Sequence, residues 1–143
     1  MHIERATNET CGLATGVVVA IDVIRAFTTA AFALATGARD IVPVGTVEQA
    51  LELRTRFPDA LLIGEVGGYP IDGFDFGNSP SAFLGQDLAG RRLIQRTSAG
   101  TQGLVLSLKA ETLFAGSLVC AAATARALAR SRPAAVTLVA TGV

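Results

Sequence analysis

The chain has 143 residues, of which 50% are hydrophobic and 17% are charged, so a single packed core of ordinary size is expected. Twelve basic residues balance twelve acidic ones, and this zero net charge excludes the strongly basic composition that is typical of nucleic-acid-binding domains. The only cysteines, Cys11 and Cys120, predict no disulfide scaffold, and no uncharged stretch approaches the roughly 20 residues of a membrane-spanning helix. We therefore expect a cytoplasmic protein with no nucleic-acid or membrane partner.

Short β-branched runs alternate with Ala- and Leu-rich runs along the whole chain. Residues 17–21 (VVVAI) form a continuous apolar run that is typical of a strand buried on both faces. Thr46 and Gln49 form a capping-box pattern that opens a helix. The predicted strands are 17–21, 41–44, 60–64, 92–96, 112–117 and 134–140, and the predicted helices are 26–36, 47–57, 104–109 and 121–130, with a short helix beginning at Pro80.

This alternation of strands and helices predicts an α/β fold with a mainly parallel sheet and helices on both faces. No repeat, low-complexity segment or linker divides the sequence, so residues 1–143 are expected to form one α/β domain. The chain stops at Val143, directly after its sixth predicted strand, which leaves that strand uncovered unless it lies at an edge of the sheet. We expect the domain to be the N-terminal part of a longer chain, and a homodimer that covers the exposed sheet is a further hypothesis.

Polar residues concentrate in the loops that follow the predicted strands. In open parallel sheets these loops meet at the carboxyl ends of the strands, where ligands bind. The loop residues are Asp22 and Arg25 after the first strand, Glu65, Asp72, Asp75, Asn78 and Ser79 after the third, Thr97, Ser98, Gly100 and Thr101 after the fourth, and Ser117 after the fifth. This clustering predicts a site that holds an anion and a hard cation.

The chemistry of these residue types supports such a site. Carboxylate oxygens, here those of Asp22, Glu65 and Asp75, are preferred ligands of Mg²⁺. The planar guanidinium of Arg25 matches the oxygens of a phosphate or a carboxylate. Backbone N–H groups in two Gly-rich segments, 64–68 and 98–101, are expected to be free to cradle phosphate.

Each of these residues also has an ordinary structural role as its alternative. Asp22 would then cap a helix, Arg25 would pair with Asp22, and the glycines would only form turns. Asp72 is interpreted as a surface turn residue rather than a ligand.

Histidine and cysteine mechanisms are disfavoured. The single histidine, His2, lies at an N-terminus that is expected to fray, which argues against a Ser-His-Asp triad or a histidine zinc site. Cys120 and Arg126 have the spacing of cysteine phosphatases, but residues 121–125 favour a helix and lack the glycines of a phosphate loop. A packed Cys120 is the simpler interpretation.

Residues 19–29 (VAIDVIRAFTT), 41–45 (IVPVG) and 71–80 (IDGFDFGNSP) are the most distinctive segments of the chain. The first is similar to the IDVLRATTT opening of the 2-phosphosulfolactate phosphatase family, and the last resembles its GFDxGNSP signature. Gly64-Glu65 matches the same family, and residues 97–101 (TSAGT) occupy the place of its TTNGT loop. The resemblance runs through nearly the whole chain in the same order.

The resemblance implies an α/β phosphatase that uses Mg²⁺ to remove phosphate from a small phosphorylated 2-hydroxy acid such as 2-phosphosulfolactate, as in coenzyme M biosynthesis. The residues on motif positions of the family are Asp22, Arg25, Glu65, Asp75, Asn78, Ser79, Gly100 and Thr101. From their chemistry we expect the catalytic residues to be Asp22, Arg25 and Asp75, and the metal ligands to be Asp22, Glu65 and Asp75. The expected substrate-binding residues are Thr28, Asn78, Ser79, Ser98, Gly100 and Thr101. Phosphoryl transfer needs mainly positioning and charge neutralisation, which such a set would supply.

Three positions depart from the family pattern. Val66 stands where the family usually has Arg, Ala99 where it has Asn, and Cys120 in place of an Asn before the later helix. Loss of a cation at residue 66 would weaken binding of phosphate or sulfonate. The alternative hypothesis is therefore a non-catalytic binding module of the same fold that recognises a small anionic ligand. A generic nucleotide-binding domain ranks last, because the sequence has neither G-x-G-x-x-G after the first strand nor a P-loop motif.

Overall fold

The computed structural model describes residues 1–142. Val143 lies outside the described residues, and so does the prediction that the chain ends directly after an uncovered strand. The strands in this range are β1 (His2–Thr7), β2 (Gly16–Ile21), β3 (Asp40–Val44), β4 (Leu61–Gly64), β5 (Arg92–Arg96), β6 (Ala110–Gly116) and β7 (Ala135–Ala140). The α-helices are α1 (Ala26–Ala35), α2 (Val47–Arg56), α3 (Gly100–Leu106) and α4 (Ala121–Ser131), and short 3₁₀-helices lie at Cys11–Leu13 and Pro80–Phe83. A single domain that continues in a longer chain, and a homodimer, stay predictions.

The paired strands are all parallel, but they form two sheets. One sheet has four strands in the order β1-β7-β2-β6, and the other has three in the order β3-β5-β4. The predicted α/β class, with parallel pairing and alternating strands and helices, is confirmed, whereas the prediction of one sheet is wrong. The chain leaves the first sheet after β2 and returns to it with β6, so the alternation along the sequence is kept although the hydrogen bonding is not continuous.

Strand β1 is absent from the predicted strands. It pairs in parallel with β7, from His2 opposite Ala135 to Thr7 opposite Ala140. The prediction of a frayed N-terminus around His2 is therefore wrong. The segment HIERAT is mostly exposed and has no alternation of apolar residues, so its strand conformation depends on hydrogen bonds to β7 rather than on burial of its own side chains.

The three-stranded sheet is buried on both faces. On one face Ile63 of β4 packs with Ala33 of α1 and with Phe83. On the other face Ile94 of β5 packs with Ala50 of α2. The predicted placement of helices on both faces holds for this sheet.

Helix α3 lies between the two sheets, in contact with β2 of one and β3 of the other. Two of its glycines allow this close approach. A Cβ at Gly100 would lie 2.6 Å from the Cβ of Ala26, and a Cβ at Gly103 would overlap the side chain of Thr141. The helix therefore packs its backbone directly against the carboxyl end of β2 and the segment after β7.

Polar side chains mark the starts of two helices. The predicted capping box of α2 is confirmed, because Thr46 Oγ1 accepts a hydrogen bond from Gln49 N–H (3.2 Å) and Gln49 Oε1 accepts one from Thr46 N–H (3.3 Å). Helix α3 begins at Gly100 rather than at the predicted residue 104. Thr97 Oγ1 accepts a hydrogen bond from Thr101 N–H (3.0 Å) and so satisfies a donor of the first turn that would otherwise be free.

None of the helices within residues 1–142 is long and apolar enough to cross a membrane. Residues 121–131 are helical, in agreement with the prediction that Cys120 and Arg126 do not belong to a glycine-rich phosphate loop.

Gly64 ends β4 at a point where the backbone of β5 passes very close. Its φ is +144°, and a Cβ there would overlap the carbonyl oxygen of Arg96, which accepts a hydrogen bond from Glu65 N–H (3.0 Å). That oxygen cannot move away without disturbing the pairing of β4 with β5. We expect Gly64→Ala to lower the free energy of unfolding by about 3 kcal/mol or more, as measured by urea denaturation followed by circular dichroism.

Gly77→Ala is the matched control, because no heavy atom lies within 4 Å of a Cβ built at that position. It is expected to change the free energy of unfolding by less than about 1 kcal/mol. Equal unfolding midpoints for the Gly64 and Gly77 variants would show that the close approach at Gly64 is not required.

An ion pair joins the amino ends of β3 and β5. The two oxygens of Asp40 accept hydrogen bonds from Arg92 at 2.7 Å and 2.9 Å, and Oδ2 also accepts one from Arg39 at 3.0 Å. These partners, Arg92 foremost, lower the pKa of Asp40 from 3.8 to about 2. A carboxyl group with a lowered pKa stabilises the fold above its ordinary pKa and loses that contribution as the pH falls toward its folded-state value.

We therefore expect the urea midpoint to fall as the pH is lowered from about 4 to about 2, and Asp40→Asn to reduce that fall. Asp72→Asn is the control, because Asp72 is exposed and its side chain makes no hydrogen bond with the described residues. An unchanged pH profile in Asp40→Asn would contradict the prediction.

Candidate functional site

Asp22 follows the carboxyl end of β2 and is only 7% exposed. Its N–H donates to the carbonyl of Gly116 at the end of β6 (3.0 Å), and its Oδ1 accepts a hydrogen bond from the N–H of Ala26, the first residue of α1 (2.9 Å). Oδ1 of Asp22 therefore binds a free N–H group at the start of α1, as the alternative of a helix cap predicts. The other oxygen, Oδ2, lies next to Gly100, where a Cβ would approach it to 2.8 Å. Glycine at that position lets the backbone of α3 approach a buried carboxylate oxygen closely.

The guanidinium of Arg25 does not pair with Asp22. Arg25 is exposed, and its side chain makes no hydrogen bond or ion pair within residues 1–142. The alternative in which these two residues neutralise each other is therefore not what the structure shows. Arg25 stands just before α1, and its side chain is exposed.

The surroundings of Asp22 raise its pKa above the ordinary value of 3.8. Burial is the largest cause, because it disfavours the charged form, and the negative charge of Glu65 raises the pKa further. The N–H groups of Ala26 and Gly100 and the hydroxyl of Thr141 act in the opposite direction. Asp22 and Glu65, two of the predicted metal ligands, therefore influence each other electrostatically.

Glu65 joins the two Gly-rich segments for which the sequence predicts a phosphate cradle. Its Oε1 accepts a hydrogen bond from Ser98 N–H (2.7 Å), and its Oε2 accepts from Gly68 N–H (2.6 Å) and from the Ser98 hydroxyl (3.1 Å). Ser98 Oγ in turn accepts a hydrogen bond from Gly67 N–H (2.7 Å). The expectation of free N–H groups is therefore wrong for Gly67, Gly68 and Ser98, whose N–H groups bind the side chains of Glu65 and Ser98.

Asp75 does not join the other two carboxylates. Its Oδ2 accepts hydrogen bonds from the guanidinium of Arg54 in α2 and from Leu62 N–H in β4, both at 2.7 Å. Arg54 stands near the end of α2, and the chain runs from there to the start of β4, so these contacts hold Asp75 toward the amino end of that strand. In the part of the chain that the structure describes, no three carboxylate, histidine or cysteine side chains are grouped so that they could hold a metal ion.

The predicted substrate-binding residues do not all lie beside Asp22 and Glu65. Ser98 and Gly100 lie beside Glu65 and Asp22, respectively. The hydroxyl of Thr28 donates to Val23 O (3.2 Å), that of Ser79 is hydrogen-bonded to Ser81 Oγ (2.9 Å), and that of Thr101 donates to Thr97 O (3.0 Å). These three hydroxyls take part in local structure. Asn78 Oδ1, by contrast, is buried without a hydrogen-bond partner among residues 1–142.

A cavity of about 570 Å³ lies beside Asp22 at the carboxyl ends of β1, β7 and β2. Its other lining residues are Arg5, Ala6, Ile21, Val23, Ile24, Ala99, Leu138, Ala140, Thr141 and Gly142. Two polar residues of this wall, Arg5 and Thr141, are missed by the sequence interpretation. Thr141 follows the last strand, so the rule that ligands bind at carboxyl ends would have found it. Arg5 could not be found in this way, because the sequence of β1 has no apolar alternation that would predict a strand.

A cavity of similar size, about 550 Å³, lies at the amino ends of the three-stranded sheet and is lined by Arg39, Arg56, Arg91 and Arg92 with residues 57–60 and Gly90. These arginines are already engaged: Arg39 and Arg92 bind Asp40, Arg56 binds Glu52, and Arg91 donates to the carbonyl of Asp59. We therefore place the candidate site at the Asp22 cavity.

Asp22 and Glu65 are the carboxylates at this end of the strands whose oxygens could bind Mg²⁺. No side chain at Gly100 covers Asp22 Oδ2, and the negative charge of Glu65 disfavours ionisation of Asp22. In phosphate-handling sites Mg²⁺ is usually held by one or two carboxylates, while waters and substrate oxygens complete its coordination. A divalent cation would offset the repulsion between these two side chains.

Comparison with known proteins gives a consistent result. Residues 1–143 match the profile of a family described as 2-phosphosulpholactate phosphatase. A probable 2-phosphosulfolactate phosphatase of Carboxydothermus hydrogenoformans is 46% identical over 76% of this chain and 44% of its own length. Proteins of the same name from Bacillus subtilis and Synechococcus sp. are 43% and 39% identical, over 67% and 87% of this chain and 42% and 51% of their own lengths. The chain thus spans about half the length of the curated relatives it matches.

Removal of the Asp22 charge tests the electrostatics of the site. A carboxyl group whose pKa is raised by folding costs stability as the pH rises above its ordinary value, here 3.8. In metal-free buffer we expect Asp22→Asn to be at least as stable as the wild-type protein at neutral pH, and to lose any advantage near pH 3. Urea denaturation at both pH values measures this difference.

Asp22→Ala is the companion variant. It should be about 1 kcal/mol less stable than Asp22→Asn, because Ala26 N–H then loses its acceptor. A clear loss of stability in Asp22→Asn at neutral pH would show that the fold favours the charged carboxylate, against the prediction.

Proposed function

We propose that this chain, which belongs to the 2-phosphosulpholactate phosphatase family, is part of an enzyme that removes phosphate from a small phosphorylated 2-hydroxy acid. The observation that supports this most directly is the buried Asp22, which lines a cavity at the carboxyl ends of the parallel strands. Ligand sites of parallel α/β folds lie at this rim. The names of the relatives make 2-phosphosulfolactate the first substrate to test. Its product would serve coenzyme M biosynthesis in the cytoplasm.

Hydrolysis of a phosphate monoester forms a bond from a water oxygen to phosphorus and breaks the bond from phosphorus to the alcohol oxygen, which takes up a proton. Protein groups contribute mainly by positioning the reactants and neutralising charge. Asp22 and Glu65 would hold Mg²⁺, which when bound supplies charge neutralisation at the phosphate oxygens.

Two further side chains would contact substrate oxygens. Ser98 is oriented by its hydrogen bonds with Glu65, and the exposed Arg25 has a guanidinium without a partner in the described range. The proposal does not use Asp75, whose carboxylate is bound to Arg54 and to the backbone of Leu62.

Phosphate release tests the proposal directly. The purified protein is expected to release inorganic phosphate from 2-phosphosulfolactate when Mg²⁺ is present and to stop when EDTA is added. Asp22→Asn should lower kcat by at least about 100-fold, because it removes the negative charge of a metal ligand. Asp72→Asn, which changes an exposed carboxylate elsewhere, should leave kcat unchanged.

The other outcomes separate the hypotheses. Thermal stabilisation by 2-phosphosulfolactate without phosphate release would support the non-catalytic binding module, since a ligand that binds only the folded state raises its stability. The proposal would be contradicted if the wild-type protein neither bound 2-phosphosulfolactate nor released phosphate from it. Full activity in EDTA would contradict the role of Mg²⁺.

A further inference from the structure

The wall of the Asp22 cavity contains two charged residues of opposite sign. Among its eleven lining residues only Arg5 and Asp22 are charged, and most of the others are apolar. A pocket of this size with a mainly apolar wall and a few polar groups is typical of a site that orients a small molecule. If Asp22 binds a cation, as proposed above, both ends of the wall would attract the negative groups of a ligand that carries a phosphate and a second anionic group.

The sheet topology places Arg5 in this wall. Arg5 in β1 stands opposite Leu138 in β7, and Leu138 stands opposite Val19 in β2, three residues before Asp22. Since adjacent strands are about 4.8 Å apart, β1 and β2 are separated by about 10 Å across β7. The long side chain of Arg5 can therefore reach a ligand of a few carbon atoms whose other end lies at Asp22.

The guanidinium of Arg5 is available for a ligand. Within residues 1–142 it makes no hydrogen bond and no ion pair, and it does not pair with Asp22. The other arginines without a side-chain partner in that range are Arg25, Arg126, Arg130 and Arg132. None of these four lines the cavity, so Arg5 alone combines a free guanidinium with a place in its wall.

A charge on an edge strand has an ordinary role as well, because it prevents the strand from pairing with another chain. That role needs a charge on β1, but it requires neither a positive sign nor contact with the cavity. A reversal of the charge at residue 5 therefore separates edge protection from anion binding.

We propose that Arg5 binds the acid group of the substrate, the carboxylate or sulfonate farther from the phosphate, and thereby selects phosphorylated acids over neutral phosphate esters. The inference rests on the proposed function in that the phosphate is held at Asp22. The planar guanidinium donates two parallel hydrogen bonds to the oxygens of such a group. The apolar part of the wall excludes water and strengthens this interaction.

The test uses sulfolactate, which carries the acid groups without the phosphate, in isothermal titration of the purified protein. Arg5→Gln should raise the Kd by about 10- to 100-fold, the loss expected for hydrogen bonds to a charged group. Arg5→Lys should have an intermediate effect, and Arg5→Glu, which keeps a charge on the edge strand, should abolish binding. Arg126→Gln changes a free arginine of α4 outside the cavity and should leave the Kd unchanged.

In turnover, Arg5→Gln should raise KM for 2-phosphosulfolactate by a similar factor with kcat within about 2-fold, and should not affect a phosphate ester that lacks an acid group. Equal sulfolactate affinity in wild type and Arg5→Gln, or no binding by wild type, overturns the inference even if phosphate is released. Binding that depends on Arg5 without any phosphate release supports the inference and contradicts only the proposed catalysis.

Discussion

The close approach of helix α3 to the carboxyl end of β2 is the constraint on which the candidate site depends. Gly100 lies against Ala26 and Asp22, and Gly103 lies against Thr141, at distances that exclude a methyl group. A larger side chain at either position would move α3 away from Asp22 and open the carboxylate to water. The burial that raises the pKa of Asp22 thus results from two absent side chains on a neighbouring helix.

Glu65 and Asp22, which follow the carboxyl ends of β4 and β2, differ in the hydrogen bonds that they accept. Glu65 accepts three hydrogen bonds from Gly68 and Ser98 and so fixes the two loops that flank the site. Asp22 Oδ1 accepts one from Ala26, and its Oδ2 lies close against the backbone of Gly100. Glu65 therefore holds the two loops together, whereas Asp22 links the end of β2 to the start of α1.

Asp75 shows why a position after a strand in sequence is not always a position at its carboxyl end. The loop after β4 turns back, and Asp75 N–H donates to the carbonyl of Leu62 in the first half of that strand (2.9 Å). Its carboxylate consequently meets Arg54 instead of Asp22. Asp22 was predictable because it follows a buried strand directly, with no loop that could redirect it. The return of the longer loop depends on contacts that sequence pattern does not encode.

Apolar periodicity and short motifs are local properties, so the sequence was enough to predict the α/β class, the family and six of the seven strands within residues 1–142. The folded chain was needed to show that the strands form two sheets, that residues 2–7 add a further strand, and that Arg5 shares a cavity with Asp22. These features depend on residues far apart in the chain, such as Arg5 and Leu138, whose pairing is set by backbone hydrogen bonds that every residue can make.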